Sequence, residues 1–289
     1  MTFFEFNNVK MYYEDVGKGE PIITIHGLME DTTYWSETGV SSKLAENYRV
    51  ISIDMRGHGR TIVQGEPLGF DVETMAGDFD RLADHLGIDR FHLLSHATGG
   101  MVAVRYGMNR SERLLSLILT DTGSATIPEF YLDPTKYKPP TKEETEAYVN
   151  WMLNFSIEEK MQGIRVNPGE FLFKMAEHPN NEEMWKIYEG FLRRLDPKVI
   201  MKFREVFYND PNTKVKKLRN IKCPTLILLG EHDIVFYKPS EIMAKEIPDN
   251  RHVILDGIGH MTAIEDSKRT IEEIVTFLDI VKKTGRASF

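Results

Sequence analysis

The stretch "FHLLSHATGGMVAV", residues 91–104, predicts a buried strand that turns sharply into a helix. Its first half is rich in apolar residues, which is typical of a strand covered on both faces of a parallel sheet. Two glycines follow, Gly99 and Gly100, and glycine lets a strand end and a helix start approach closely. Between strand and helix stands Ala97, whose side chain carries no functional group. The stretch therefore predicts a tight strand-to-helix turn with an inert residue at its centre.

The chain has the size and composition of a large globular protein. Its 289 residues are 41% hydrophobic and 28% charged, which is enough for a sizeable core as one α/β domain or as a core with an insertion. The formal net charge of −8 argues against a nucleic-acid partner and against an anionic membrane surface, since both attract basic proteins. We therefore expect a small-molecule ligand. The composition leaves the oligomeric state open, a homodimer included.

Residue usage also bears on compartment and cofactors. A single cysteine, Cys223, cannot form an internal disulfide, and the first residues lack the basic and apolar regions of a signal peptide. These features favour the cytoplasm. No apolar run approaches the roughly 18 residues that cross a bilayer. The nine histidines show no metal-ligand spacing, so we expect a reaction that uses no metal and no other cofactor.

Short apolar runs alternate with helix-period segments over most of the chain. Apolar residues recur every three or four positions from Val72 to Leu86, and again from Ile271 to Val281, as on the buried face of a helix. This alternation predicts an α/β fold with a mostly parallel, doubly wound sheet. The runs predicted to be strands are "PIITIHG" (21–27), "YRVISID" (48–54), "FHLLSH" (91–96), "LLSLILTD" (114–121), "CPTLILLG" (223–230) and "HVILD" (252–256).

The alternation stops between residues 125 and 215, where the chain is rich in methionine and aromatic residues. Prolines mark the start of this segment and "NDPNTKVKKLRN" (209–220) marks its end. Capping boxes at Thr141 and Ser156 predict two helix starts within it. We therefore expect a helical cap at 125–215, inserted into a core formed by residues 1–124 and 216–289. A cap of this kind would lie over the carboxyl edge of the sheet, where open α/β sheets bind ligands.

Short motifs stand at or just after the predicted strands. They are "IHGL" (25–28), "DMRGHG" (54–59), "SHATGG" (95–100), "LLGEHD" (228–233) and "GIGHM" (257–261). In this order and spacing they resemble the α/β-hydrolase superfamily, and specifically its single-domain hydrolases with a helical cap. The resemblance covers essentially all of the chain outside 125–215.

The resemblance implies a catalytic set with one member missing. The family writes its strand-to-helix turn as G-x-S-x-G, with the nucleophile at the centre, and Ala97 stands at that position. His260 falls where the general base is expected, and Asp233 falls where the carboxylate that orients the base is expected. The backbone amides of Leu28 and Thr98 would form the oxyanion hole.

Two explanations of Ala97 are open. It replaces an original serine, in a change made to stop turnover, or the natural protein works without a nucleophile. We favour the first, because Asp233, His260 and the two oxyanion donors would be free to change in a protein that had stopped using them. Aspartate and cysteine nucleophiles also occur in the superfamily. The family's aspartate enzymes usually carry HG-x-P and a Trp after the nucleophile, whereas this chain has "HGLM" and Thr98, which favours serine.

The implied function is hydrolysis of a carboxylic ester, a thioester or a lactone through an acyl-enzyme. The residues do not decide between a carboxylesterase, a lactonase and a C–C bond hydrolase. Two further classes stay open on the same fold. One is an enzyme in which a His260–Asp233 dyad acts as a base without a nucleophile, as in cofactor-free dioxygenases and lyases. The other is a non-catalytic receptor for a small molecule.

Substrate contacts are expected from the loop after the oxyanion motif and from the cap. Met29 and Trp35 in the loop, and Trp151, Met152 and Phe155 in the cap, are the predicted pocket residues. Other aromatic and methionine residues of the cap either line the pocket or form the cap's own core. They are Phe130, Tyr131, Tyr137, Met161, Phe171, Phe173, Met175, Trp185, Tyr188 and Phe191. His26 and His58 are interpreted as structural, and His85, His92, His96 and His232 as solvated or packing residues.

Overall fold

The computed structural model describes residues 2–125, 127–209 and 214–288, and it contains one large sheet. Residues 210–213 of the predicted cap exit lie outside the described residues, as does residue 126 near the predicted cap entry. The strands are β1 (Thr2–Phe6), β2 (Val9–Gly17), β3 (Glu20–Ile25), β4 (Tyr48–Ile53), β5 (Ile62–Val63), β6 (Phe91–His96), β7 (Leu114–Thr120), β8 (Thr225–Gly230) and β9 (Asn250–Leu255).

The sheet is parallel where the apolar runs predicted it. Its order is β1-β2-β4-β3-β6-β7-β8-β9, with the short β5 paired to β2. The six runs predicted as strands form β3, β4, β6, β7, β8 and β9, and all pairs among these neighbours are parallel. β1 and β2 add an antiparallel edge that the sequence reasoning did not predict. The predicted fold class is confirmed.

Helices cover both faces of the sheet and fill the segment between β7 and β8. They are α1 (Thr33–Ser36), α2 (Val40–Leu44), α3 (Val72–His85), α4 (Ala97–Arg110), α5 (Glu129–Leu132), α6 (Lys142–Asn154), α7 (Ile157–Val166), α8 (Gly169–Glu177), α9 (Asn181–Arg194), α10 (Pro197–Phe207), α11 (Tyr237–Glu246), α12 (Thr262–Glu265) and α13 (Ser267–Thr284). Two short 3₁₀ helices span Ser111–Arg113 and Val215–Asn220.

Alternate residues of the strands belong to two separate apolar clusters. Ile23 and Leu93 belong to the cluster that contains α3 and α4, whereas the adjacent Ile22 and Leu94 belong to the cluster that contains α13. Successive side chains of a strand point to opposite faces, so each cluster lies on one face of the sheet. The sheet is therefore buried on both sides, as runs without polar alternation predict.

The described part of the 125–215 segment is helical and packs on the carboxyl edge of the sheet. Both predicted capping boxes form, one from Thr141 with Glu144 and one from Ser156 with Glu159. Arg194 fastens α9 to the loop after β3, donating to Asp31 at 2.5 Å and to the Thr33 hydroxyl at 2.7 Å. The division of the chain into a core and a cap with the stated boundaries stays a prediction.

Within the described residues, no helix combines the length and the apolar character that crossing a bilayer requires.

Candidate active site

The turn after β6 holds Ala97 in an uncommon backbone conformation. Its φ is +46°, in the left-handed region, which costs an L-residue about 1 kcal/mol. The turn is tight because α4 begins at once and packs against β3 and the loop after β7. A side chain at Gly99 would collide with the His26 carbonyl, and one at Gly100 would collide with Thr122. The two glycines are therefore required, and the geometry is that of a strand-to-helix elbow.

The other hydroxyls near the elbow point elsewhere. Ser95 donates to the Ile118 carbonyl at 3.0 Å, inside the sheet. The Thr98 hydroxyl forms a hydrogen bond with Tyr208 Oη at 2.5 Å, toward the helical segment. Neither group takes the place of a side chain at position 97. The chain therefore presents a Cβ, and no hydroxyl, at the centre of the elbow.

A histidine and a carboxylate form a buried pair at the adjacent strand ends. His260 Nδ1 lies 2.7 Å from Asp233 Oδ2, and both side chains are buried. Asp233 Oδ1 accepts the amides of Val235 and Phe236 at 3.1 and 3.0 Å. These bonds hold the carboxylate still, so that it orients the imidazole with Nε2 free to accept a proton.

The environment of His260 raises its pKa. Burial is the largest influence and lowers the pKa, but the charge of Asp233 and its hydrogen bond, followed by Asp121 and Glu30, outweigh it and raise the pKa to about 8. The Phe171 and Phe236 rings enclose the imidazole, with centroids at 4.6 and 5.5 Å. His260 is thus a base of useful strength near neutral pH, held in an apolar wall.

Asp121 is a second carboxylate behind the same imidazole, and the sequence reasoning did not select it. Burial first, and then the charge of Asp233, raise the pKa of Asp121 well above its usual range. Its two oxygens accept the Gly230 amide at 3.0 Å and the Thr262 hydroxyl at 2.7 Å. A signal was available, since Asp121 ends the predicted strand "LLSLILTD" at the edge of the sheet that carries the site.

The group formed by Asp121, Asp233 and His260 has the residue types of a metal site. Their candidate ligand atoms all lie within 4.8 Å of one another. Every carboxylate oxygen of the two aspartates accepts a hydrogen bond from the protein. The three residues therefore form a hydrogen-bonded acid–base network.

The oxyanion turn after β3 is braced by a glutamate. Glu30 Oε2 accepts the Gly27 amide at 2.5 Å, and the turn contains Met29 with φ of +64°. Leu28 lies within this turn and Thr98 is the second residue of α4, and both line the cavity around Ala97. Among the hydrogen bonds of the described residues, neither of their amides has an acceptor. Two unused N–H groups at this place are what an oxyanion hole needs.

His96 links the braced turn to the acid–base network. Its Nε2 lies 3.4 Å from Glu30 Oε1, and its Nδ1 lies 3.1 Å from Thr120 Oγ1 and 3.6 Å from Asp121 Oδ2. Of the two interpretations of His96, solvated or packing, only packing agrees with the structure, because the ring is fully buried and stacks on Tyr34 with centroids 4.3 Å apart. Its contacts with two carboxylates were not predicted. His26 is structural as predicted, since Nδ1 lies 2.8 Å from the Gly27 carbonyl and Nε2 accepts the Met55 amide.

A cavity of about 560 Å³ opens over Ala97 and His260. Of the predicted substrate contacts, Met29 and Trp151 line it. Four of the residues left undecided between pocket and core also line the cavity, as do several that the sequence analysis did not name. The four are Tyr131, Tyr137, Phe171 and Tyr188, and the others include Leu172, Tyr148, Arg204 and Tyr208.

Three predicted pocket residues lie away from this cavity. Trp35 is fully buried in the core beneath the loop, packed edge-on against Tyr34. Met152 follows Trp151 on α6, so it points about 100° around the helix and is buried in the core. Phe155 is the C-cap of α6, where the backbone becomes extended, and its ring is 41% exposed. Apolar character alone did not separate these positions from true wall residues.

The fold and the site define the class of the protein. A family model described as the alpha/beta hydrolase fold matches residues 20–267, and the chain belongs to this family. The predicted resemblance is thereby confirmed.

The three relatives described here are distant, but each matches nearly the whole chain. A proline iminopeptidase from Clostridioides difficile (strain 630) is 24% identical over 96% of this chain and 97% of its own length. Among solved structures, an esterase from Exiguobacterium antarcticum has a TM-score of 0.75 and 23% identity, over 94% of this chain and 96% of its own. An enol-lactonase from Burkholderia xenovorans LB400 has a TM-score of 0.75 and 21% identity, over 96% and 100%. Structural similarity at this level of identity concerns the fold.

Proposed function

We propose that this site belongs to a hydrolase of carboxylic esters, thioesters or lactones, and that its active form carries a serine at position 97. The observation that carries the proposal is the His260–Asp233 pair, joined at 2.7 Å, beside an Ala97 that keeps the elbow conformation with φ of +46°. Glycine would adopt this conformation without the cost that alanine bears. The presence of an L-residue where glycine would be less strained indicates that the direction of the side chain at position 97 is important.

The residues then have the following roles in the serine form. The hydroxyl at position 97 would lose its proton to His260 Nε2 as its oxygen attacks the substrate carbonyl carbon. The negative oxygen of the tetrahedral intermediate would accept the Leu28 and Thr98 amides. His260 would next donate its proton to the leaving oxygen or sulfur, giving an acyl-enzyme. It would then deprotonate a water that attacks the acyl carbon, and the serine hydroxyl would be restored.

The chain as it stands keeps binding and loses turnover under this proposal. Removing the nucleophile of a triad costs about 10⁶ in kcat, which is about 8 kcal/mol, and leaves the pocket and the oxyanion donors in place. The Ala97 chain would therefore hold an ester without cleaving it.

A second function is favoured by one observation, the presence of a base without a nucleophile. With a pKa raised to about 8, His260 can remove a proton from an acidic substrate without forming an acyl-enzyme. That arrangement resembles the cofactor-free dioxygenases and lyases of this fold. Anaerobic mixing separates the two proposals, because a substrate of this class shows a spectral change on deprotonation by the Ala97 chain, whereas an ester shows none.

The substrate class is tested with the Ala97→Ser variant. A panel of p-nitrophenyl esters of increasing acyl length, an aryl thioester and a set of lactones is assayed beside the unmodified chain. We expect turnover of at least one of these acyl classes by the variant only. Equal inactivity of both chains toward the whole panel contradicts the proposal.

The pH dependence of the Ala97→Ser variant follows from His260. Only the neutral imidazole accepts the serine proton, so kcat/KM should increase as the pH rises through about 8 and level off above it. Below the midpoint we expect a loss of about tenfold per pH unit. The measurement is kcat/KM against pH with an ester whose own hydrolysis is subtracted. A midpoint at the ordinary histidine value of 6.5 would show that Asp233 does not act on the imidazole as the contact implies.

A further inference from the structure

We propose that Arg204 binds a carboxylate of the substrate, so that the ester or lactone is an acid derivative with a free carboxylate away from its scissile carbonyl. The inference rests on the proposed function, since it takes the ligand of this cavity to be the substrate. It adds a charged recognition element to a pocket whose walls are mainly aromatic.

Arg204 lies on α10 and lines the cavity above Ala97 and His260. Its guanidinium carbon is 5.2 Å from the centre of the Tyr148 ring, and Nη1 donates to the Tyr148 hydroxyl at 3.2 Å. Stacking on an aromatic face holds a guanidinium in a fixed plane and leaves its outer N–H groups available. The side chain is half-buried.

The other arginines of the helical segment are all paired with carboxylates. Arg165 contacts Glu182, Arg193 contacts Glu158, and Arg194 contacts Asp31. Among the described residues, no carboxylate forms a salt bridge with Arg204. Arg204 thus differs from these three arginines in two ways. It lines the cavity, and its hydrogen-bond partner is the Tyr148 hydroxyl.

Among the described residues that line the cavity, Arg204 is the one arginine or lysine. Glu30 and Glu170 also line it, and one oxygen of each already accepts a hydrogen bond, from the Gly27 amide and from the Tyr131 hydroxyl at 2.9 Å. A guanidinium offers five N–H donors, and one described hydrogen bond uses one of them. A planar anion with two oxygens fills such a fork best. This geometry favours a carboxylate over a neutral carbonyl, which accepts fewer bonds and carries no charge.

The position of Arg204 relates the carboxylate to the reacting carbonyl. Tyr208 follows one helical turn later, about 5 Å along the axis, and its hydroxyl contacts Thr98 at 2.5 Å. Thr98 adjoins position 97 and supplies an oxyanion donor. Arg204 and Ala97 line the same cavity, so a ligand whose carbonyl lies over Ala97 can direct a carboxylate toward Arg204. Monoesters of short dicarboxylic acids are the simplest ligands of this kind.

Binding to the unmodified Ala97 chain tests the inference without any turnover. The probes are monomethyl glutarate and its neutral counterpart methyl butyrate, titrated by calorimetry into the unmodified chain, Arg204→Gln and Lys202→Gln. Lys202 is the matched control, since it is an exposed cation on the same helix and lines a different cleft. Thermal unfolding of each variant shows that it is folded.

We expect Arg204→Gln to raise the Kd of monomethyl glutarate about 10- to 100-fold relative to the Kd of methyl butyrate. Lys202→Gln should leave the ratio of the two Kd values unchanged. An unchanged ratio in Arg204→Gln, or an equal change in Lys202→Gln, overturns the inference. Inorganic phosphate that binds more tightly than monomethyl glutarate, and only when Arg204 is present, also overturns the assignment to a carboxylate.

Turnover separates this inference from the proposed function. In the Ala97→Ser background, p-nitrophenyl hydrogen glutarate should be preferred over p-nitrophenyl valerate, and Arg204→Gln should remove the preference mainly through KM. If Arg204-dependent binding of the acid is found while Ala97→Ser cleaves no ester or lactone, the proposed function fails and the binding site stands. If esters are cleaved without regard to charge, the proposed function stands and the role of Arg204 fails.

Discussion

The Ala97→Ser variant should hydrolyse an activated ester about 10⁶-fold faster than the unmodified chain. The reason is that every other component is already in place, from the His260–Asp233 contact at 2.7 Å to the free amides of Leu28 and Thr98. The measurement is release of p-nitrophenolate under saturating ester, with the unmodified chain purified in parallel from the same host. A gain below about tenfold would contradict the account, because it would leave no room for covalent catalysis.

Ala97→Gly is the matched control for this prediction. It changes the same residue, adds no hydroxyl, and relieves the left-handed backbone at φ of +46°. We expect no esterase activity and a gain of about 1 kcal/mol in the free energy of unfolding, measured by urea denaturation. Activity in the glycine form would show that water, and not the residue at 97, attacks the substrate.

The second large effect is expected from Asp233→Asn in the Ala97→Ser background. The amide would no longer hold the His260 proton on Nδ1, so the ring would adopt the wrong tautomer and Nε2 could not accept the serine proton. We expect kcat to fall about 10⁴-fold with the fold intact. The pKa of His260 should also fall from its value of about 8, since the charge of Asp233 is the first of the influences that raise it.

Asp279→Asn is a suitable control, because Asp279 is exposed on α13 and the substitution removes the same charge from the chain. It should leave kcat unchanged. Asp121 is the alternative carboxylate, since its candidate ligand atom lies within 4.8 Å of those of Asp233 and His260. A loss below about tenfold in Asp233→Asn would mean that Asp121 orients the imidazole instead. The double variant with Asp121→Asn would then lose the activity that the single variant kept.

The inner parallel strands β3, β4, β6, β7 and β8 could be predicted because each is a largely apolar run, buried over most of its length. The edge strand β9 is more exposed, and the short run HVIL indicated it. The antiparallel edge could not be predicted, because β1 and β2 mix exposed and buried positions and carry polar residues such as Lys10 and Glu14. Their pairing depends on long-range register with β4, and a local pattern carries no information about it.

The candidate site was predictable to the extent that it follows from strand ends. Position 97 comes directly after a predicted strand, and Asp233 and His260 lie in the short loops after two others, so all three are placed at the carboxyl edge of the sheet. Trp35 was misplaced because a large apolar residue near the site is compatible with core and with wall alike. Glu30 and Arg204 were missed because their contacts with His96 and with Tyr148 join residues that are distant in the chain.

The central claim is that position 97 is a nucleophile position served by His260 and Asp233. Its most direct test is covalent labelling of the Ala97→Ser variant with a fluorophosphonate, followed by intact-protein and peptide mass spectrometry. The account predicts one phosphonyl group per chain, attached to residue 97, with no label on the unmodified chain and none when His260→Ala is added. An unlabelled Ala97→Ser variant, or a label at another residue in both chains, would contradict it.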